Sequence, residues 1–475
     1  MSNYHRISDI QADLTAGKTT CVQLVQGYLA RILENKHLNA FLEVWDENAL
    51  ARAAELDQKV VSGKFGKLAG TVIAIKDNLA YEGHAVSASS KILSGFQSLY
   101  TATAVQRLLD EDAILIGRTN CDEFAMGASN ENSAFGPVRN AADPERVPGG
   151  SSGGSAVAVQ AGMAHASLGS DTGGSIRQPA AFCGLYGTKP TYGLISRWGL
   201  LAYASSFDQI GPMTKSLEDN MLLTAIMAGP DDSDASMSQR PAENYILTGN
   251  AGPYTFAVMR QAVEHPGLDP EVKAATAQLV AKLEASGHRI TYFDFELLDY
   301  LVPTYYVLTT AEASSNLSRY SGLLYGHRSK DAKDLETTFT LSRTEGFGEE
   351  VKRRIMLGTF VLSSDYYDAY YSKAQKVRRI IQQKTREVLA AADAILIPTT
   401  STPAFKLGEK AKDPIAMYLA DLFTVQANIA GNCAISLPIA KTAQGLPLGM
   451  QLMCGEFEEQ KLFDVSSEVV RASNS

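Results

Sequence analysis

Apolar positions along this chain follow two rhythms. Over residues 5–60 they recur at steps of three and four, as in CVQLVQGYLARILE, and predict helices. Residues 71–75, TVIAI, form an unbroken apolar run that predicts a buried strand ending in Lys76. TATAVQRLLDEDA then predicts a helix and AILIG, residues 113–117, a strand. Residues 127–154 are rich in Gly, Ser and Asn. SAVAVQAGMA opens a helix at Ser155, and residues 165–171, HASLGSD, read as a short strand. YTFAVMR predicts another strand, and LDPEVKAATAQLVAKLEASGH a helix with Pro270 at its start and Gly287 at its end. A long helix is expected over residues 366–392, followed by a strand at AILIPTT. CAISLPIA and GLPLGMQLM read as two strands joined by a turn at AQG, with a closing helix from near Glu456. This strand–helix alternation argues for an α/β class.

The polar stretch 229–252 is the best candidate for a linker or exposed loop. It divides the expected single domain, 1–475, into an N-terminal helical part (1–60), a core with the Gly/Ser loops (61–228) and a remainder (253–475). A length of 475 residues also allows several domains.

Composition narrows the function classes. The chain is 45% apolar and 20% charged, as in an ordinary globular enzyme. No apolar run reaches membrane-spanning length, and MSNYHRISDIQADL lacks a secretory pattern. Five scattered cysteines without a CxxC pair read as reduced thiols of a cytoplasmic protein, with no metal site. The net charge of −9 disfavours general nucleic-acid binding. The basic stretch KVRRIIQQKTR reads as a solvated helix face.

Chemistry concentrates in two knots, PGGSSGGSA and GSDTGGSIRQPA. Flexible turns are the plain reading. A phosphate loop is disfavoured, because neither knot has the Walker lysine and GxGxxG is absent. Residues 149–153 fit GxSxG, which would make Ser151 a nucleophile. That reading needs a histidine, and His165, His265, His288 and His327 do not stand in a convincing late loop. The remaining base is a neutral lysine, whose pKa of about 10.4 must be lowered by burial. Lys76, carried inward by VIAI, is the candidate; a strand-end lysine that snorkels to water is the competing reading.

GTVIAIKDN, PGGSSGGSA and GSDTGGSIRQPAAFCGLYGTKPTYG, in this order, resemble the amidase signature family. The separation of 24 residues between Ser151 and Ser175 also matches. The resemblance implies a large α/β/α sandwich: a mixed sheet covered by helices, with the N-terminal helices packed alongside. It implies Ser175 as nucleophile, Lys76 as terminal base and Ser151 as the relay, with a cis bond to Gly150. The N–H groups of Thr172, Gly173, Gly174 and Ser175 would then face one oxyanion. Ser175 is expected to open a helix, and Asp171 and Arg177 to be structural.

Further segments narrow the resemblance: SNLSRY, EVKRRIMLGT, LAYASSFDQIGPMTKS and DLFTVQANIAGNCAISLP. They are similar to the glutamine-hydrolysing A subunits of bacterial tRNA-dependent amidotransferases. The likeness implies Arg354 on the α-carboxylate of glutamine, with Arg353 as the competing choice, and Asp421 on the α-amino group. Tyr306, Met126 and Ser129 would line the same pocket. No cofactor is implied on this chain. Ammonia would pass to a B subunit that uses ATP and Mg²⁺ on Glu-tRNA(Gln), with a C subunit clasping the two. Leu194 and Cys454 depart from the pattern, away from the triad. A stand-alone amidase for another small amide, and a non-catalytic scaffold, are the rivals.

Overall fold

In the computed structural model, which describes residues 4–249, 252–410 and 414–474, the apolar runs line up in one sheet. Its eleven strands are β1 (Phe41–Val44), β2 (Val72–Lys76), β3 (Ile114–Thr119), β4 (Ala166–Asp171), β5 (Tyr186–Lys189), β6 (Gln209–Thr214), β7 (Thr255–Met259), β8 (Arg289–Phe293), β9 (Ala394–Pro398), β10 (Ala434–Lys441) and β11 (Pro447–Met453). Their spatial order is β1-β3-β2-β4-β6-β5-β10-β11-β9-β7-β8. The sheet is mixed: β3, β2 and β4 run parallel, as do β9, β7 and β8, and the other neighbours pair antiparallel.

Both faces are covered. Along β7, Ala257 and Met259 enter one apolar cluster and Phe256 and Val258 another. Along β2, Val72 and Ala74 face one cluster while Ile73 and Ile75 face a second. A strand buried on both sides reads as an unbroken apolar run, which is why VIAI signalled itself so clearly. Because β2 and β4 are parallel neighbours, their carboxyl ends bring Lys76 beside Ser170 and Asp171. Ligands of open α/β sheets settle outside such ends.

Several boundaries differ from expectation. Residues 5–60 are not wholly helical: helices Ile7–Thr15, Cys21–Glu34 and Asp46–Val61 flank β1, which pairs antiparallel with β3. In FLEV, the aromatic Phe41 and the β-branched Val44 fit a pleated edge better than a helix. The helix expected at Ser155 begins at Gly153. The helix expected over residues 366–392 is a π-turn, Tyr367–Ser372, followed by Lys373–Leu389. Ser175 does not open its helix, which runs Arg177–Cys183. Strands β5 and β6, YGTK and QIGPMT, are too short and too rich in Gly and Pro to show a period. The polar stretch near residue 240 has no regular element, yet Tyr245 within it is buried against Phe463. Residues 250 and 251 of the expected linker lie outside the described residues.

Candidate active site

Strand β2 carries Lys76 into the interior, where its side chain is fully enclosed. Its Nζ lies 2.6 Å from Ser151 Oγ, 2.9 Å from Ser152 Oγ and 2.9 Å from Ser170 Oγ. Among the described residues no carboxylate pairs with it directly. Burial therefore pulls its pKa down to about 8, against the more distant pull of Cys121, Asp122, Asp171 and Asp208. The next residue, Asp77, is turned aside by Ser87, Ser89 and Arg118, whose Nη1 lies 2.6 Å from its carboxylate.

The loop that presents Ser151 is wedged. The Gly150–Ser151 peptide bond is cis. A Cβ on Gly150 would lie 2.1 Å from Asp122 Oδ2 and 2.6 Å from the Ser129 nitrogen, so only glycine fits. Gly150 N–H donates to Gln178 Oε1 at 2.9 Å, and Asp122 N–H to the Ser151 carbonyl at 3.1 Å. The Asp122 carboxylate accepts from the N–H groups of Asn130 and Asn132 at 2.9 and 3.0 Å.

Ser175 stands on the neighbouring loop, 7% exposed, and its carbonyl accepts from Ser152 N–H at 3.2 Å. Among the described residues its hydroxyl has no hydrogen-bond partner, so the Ser151–Ser175 link is not closed in this structure. The N–H groups of Thr172, Gly173 and Ser175 likewise have no protein acceptor. The fourth expected donor differs: Gly174 N–H donates to Asp171 Oδ1 at 2.8 Å, and is occupied. Its φ of 134° brings it against Thr424, whose Oγ1 a Cβ would meet at 2.2 Å. A Cβ on Gly173 would meet the Tyr305 ring at 2.5 Å. Asp171 forms a fully buried pair with Arg177, Nη2 to Oδ1 at 2.9 Å and Nε to Oδ2 at 3.0 Å. Burial opposes ionisation of Asp171, but that guanidinium prevails and holds the carboxyl well below the usual carboxylate range. Arg177 also reaches Asn428 and the Thr424 carbonyl, tying the serine loop to the Val425–Ala430 helix.

A second cluster adjoins this loop. Helix Leu298–Asn316 supplies Tyr305 and Tyr306, and helix Glu349–Val361 supplies Arg354. Arg354 is buried, with Nε 2.8 Å from Glu350 Oε1 and Nη1 2.9 Å from the Tyr203 hydroxyl. The rings of Tyr203, Tyr306 and Tyr418 surround its guanidinium at 5.6, 5.1 and 5.6 Å. Asp421 accepts from the Tyr306 hydroxyl at 3.2 Å. Burial raises its pKa to about 7, against the opposing effects of Arg354 and Tyr306. Arg353, by contrast, is half exposed and pairs with Glu350. Ser129, Glu350, Arg353, Arg354 and Tyr418 line a cavity of about 230 Å³. Among the described residues Ser129 Oγ is buried there without a partner, whereas Met126, Tyr306 and Asp421 are buried but do not line it.

The four candidate histidines are engaged elsewhere: His165 with Asp219 at 2.7 Å, His327 with Glu345 at 2.8 Å, His288 with Glu468 at 3.4 Å, and His265, whose Nδ1 accepts from Gly267 N–H at 3.1 Å. Among the described residues there is no group of three or more His, Cys, Asp or Glu placed to hold a metal, and no helix long and apolar enough to cross a membrane.

The amidase family model matches residues 23–463. The chain belongs to the amidase family. Among curated relatives, the A subunit of glutamyl-tRNA(Gln) amidotransferase from Chlorobium phaeobacteroides is 48% identical over 98% of both chains. Its counterpart from Chlorobaculum tepidum is 49% identical over 98% of this chain and 97% of its own. The crystal structure of the A subunit of glutamyl-tRNA(Gln) amidotransferase from Thermotoga maritima superposes with a TM-score of 0.78 at 40% identity, covering 94% of this chain and 93% of that one. Peptide amidase from Stenotrophomonas maltophilia superposes with a TM-score of 0.81 at 28% identity, covering 99% and 97%. In this amidase the residues that sequence reasoning overlooked are mostly scaffolding: Asp122 and Gln178 at the cis bond, Ser152 and Ser170 around the lysine, and Tyr203, Glu350 and Tyr418 around Arg354. They are single polar or aromatic residues without local periodicity, and only the fold brings them together.

Proposed function

We propose that this amidase hydrolyses glutamine as the A subunit of a glutamyl-tRNA(Gln) amidotransferase. The observation that carries the reading is the buried Lys76 amine resting on the hydroxyl of Ser151 without a carboxylate partner. A lysine in that environment loses its proton near pH 8 rather than above about 10 and becomes a base. Ser175 Oγ attacks the side-chain carbonyl carbon of glutamine; its proton passes to Ser151, and the Ser151 proton to Lys76. The free N–H groups of Thr172, Gly173 and Ser175 take the charge that develops on the carbonyl oxygen. Collapse of the tetrahedral adduct breaks the C–N bond, and the proton returns through Ser151 to the departing ammonia. Water, activated by the same relay, then cleaves the glutamyl ester to glutamate and restores Ser175.

Arg354 and Asp421 hold the two ends of the amino-acid backbone. A guanidinium fork suits a carboxylate, and an ionised carboxylate suits an ammonium. Arg354 is preferred over Arg353 because it is the buried one. Ser129 lines the same cavity as Arg354, and Tyr306 bridges Arg354 and Asp421 beside it. The names of the relatives and the acidic balance of this chain support a division of labour. Ammonia goes to a B subunit that acts on Glu-tRNA(Gln) with ATP and Mg²⁺, held to this chain by a C subunit, in the cytoplasm.

The test is ammonia release from glutamine, with and without co-expressed partner subunits. Ser175→Ala reduces release by on the order of a thousandfold or more while the protein stays folded. Arg354→Ala raises KM for glutamine by about tenfold to a hundredfold and leaves turnover of a neutral amide nearly unchanged. Near-normal release by Ser175→Ala, or equal effects of Arg354→Ala on both substrates, contradicts the assignment.

A further inference from the structure

We propose that Ser170, backed by Asn78, is a positioning residue that aims the Lys76 lone pair at Ser151; this rests on the reading of Lys76 as the terminal base. Lys76 Nζ meets three hydroxyls, those of Ser151, Ser152 and Ser170, at 2.6, 2.9 and 2.9 Å, and more distantly the Ser170 carbonyl, at 3.4 Å. An ammonium has three N–H donors, one for each hydroxyl. A neutral amine keeps two N–H donors and gains one lone pair. The base is productive only when the lone pair faces Ser151, and the two retained N–H groups are then held by the nearer acceptors, the Ser152 and Ser170 hydroxyls, rather than by the Ser170 carbonyl at 3.4 Å.

The structure supplies both anchors. Ser152 is fixed by the backbone of residue 170: its Oγ accepts from Ser170 N–H at 3.3 Å and donates to the Ser170 carbonyl at 3.2 Å. Its remaining acceptor capacity faces Lys76. Ser170 is fixed through its side chain, because Asn78 Nδ2 lies 2.9 Å from the same Oγ. Asn78 is 1% exposed, and among the described residues its other amide atom, Oδ1, has no hydrogen-bond partner. A buried amide that leaves one end unsatisfied is costly, and among the described residues the side chain's one hydrogen bond goes to Ser170. The backbone carbonyl of Asn78 accepts from Leu201 N–H at 2.8 Å, which locks the turn after β2. The charged and titratable groups that face Lys76 from the surrounding elements are Cys121, Asp122, Asp171 and Asp208. Neither variant below alters them.

The variants are Ser170→Ala and Asn78→Ala in the full chain, assayed for ammonia release alone and with partner subunits, with thermal unfolding recorded. Ser170→Ala removes one hydroxyl and leaves Ser152 anchored, since that anchor is backbone. It lowers kcat about tenfold, through loss of one hydrogen bond to an ionisable group. KM for glutamine stays at the wild-type value. The acid limb of the pH profile of kcat/KM moves down by about one unit, because the ammonium loses an acceptor. Asn78→Ala shifts both in the same direction by less. A Ser170→Ala chain that does not fold passes the decision to Asn78→Ala. Wild-type kcat and an unmoved acid limb in folded variants overturn the proposal. Ser175→Ala separates the two levels: if it is inactive and the Ser170 and Asn78 variants behave as wild type, only the positioning role falls. If it remains active, the underlying reading falls with it.

Discussion

Lys76 and Asp421 are two buried titratable groups displaced toward neutrality from opposite sides. For Lys76 the dominant cause is burial, which places its pKa at about 8. On the proposed reading the amine is the active form, so kcat/KM for any amide should rise with pH and be half-maximal near 8. Stability follows the same direction. The unfolded chain holds the lysine proton up to about 10.4, so between about 8 and that value the unfolded state binds more protons. Stability therefore rises with pH in that window, and the unfolding free energy of Lys76→Met lacks this rise. For Asp421 burial raises the pKa to about 7, and on the proposed reading the ionised form holds the ammonium of glutamine. KM for glutamine should accordingly climb as pH falls through 7, while KM for a neutral amide stays flat. A common pH dependence for both substrates would separate Asp421 from the substrate.

At the scale of elements, the pocket depends on how closely two helices cross. Arg354 and Gly358 lie one turn apart on helix Glu349–Val361, and Tyr306 and Thr310 one turn apart on helix Leu298–Asn316. A Cβ on Gly358 would lie 1.9 Å from the Thr310 carbonyl oxygen, so the absence of a side chain sets the separation of the helices. Gly358→Ala must push them apart, at a cost of about 1–3 kcal/mol in stability. It also moves Arg354 away from Tyr306. The measurable outcome is a lower melting temperature and a raised KM for glutamine, with turnover of a neutral amide unchanged. The sequence pattern made some elements plain and hid others for physical reasons. VIAI and AILIP announce strands because both faces are buried, and the helix Pro270–Ala285 announces itself by its ends. Strand β1 hid among helical periods, and β5 and β6 hid behind Gly and Pro. The crossing at Gly358 has no local signature, since its meaning comes from a residue 48 positions earlier.

At the scale of the whole molecule, one sheet gathers pieces far apart in sequence. Lys76 comes from the end of β2, Ser170 from β4, Ser151 and Ser175 from two loops, Arg354 from a helix and Asp421 from a short turn near residue 420. The three resemblance blocks pointed to the lysine and both serines, and the further segments to Arg354 and Asp421; the fold brings Lys76 Nζ within 2.6 Å of Ser151 Oγ. They did not reveal that Gly174 N–H is spent on Asp171, because that depends on how a carboxylate folds back under its own loop. Nor did they reveal the hydroxyls of Ser152 and Ser170 beside Lys76, the second of which becomes a neighbour only through the parallel pairing of β2 with β4. The central claim is that Ser175 carries the acyl group while Ser151 relays its proton. It is tested most directly by acid-quenching the chain during turnover of glutamine and mapping the covalent adduct by peptide mass spectrometry. A glutamyl ester on Ser175, absent from Lys76→Ala, is the predicted result; an ester on Ser151, or equal labelling of Ser175 without Lys76, contradicts it.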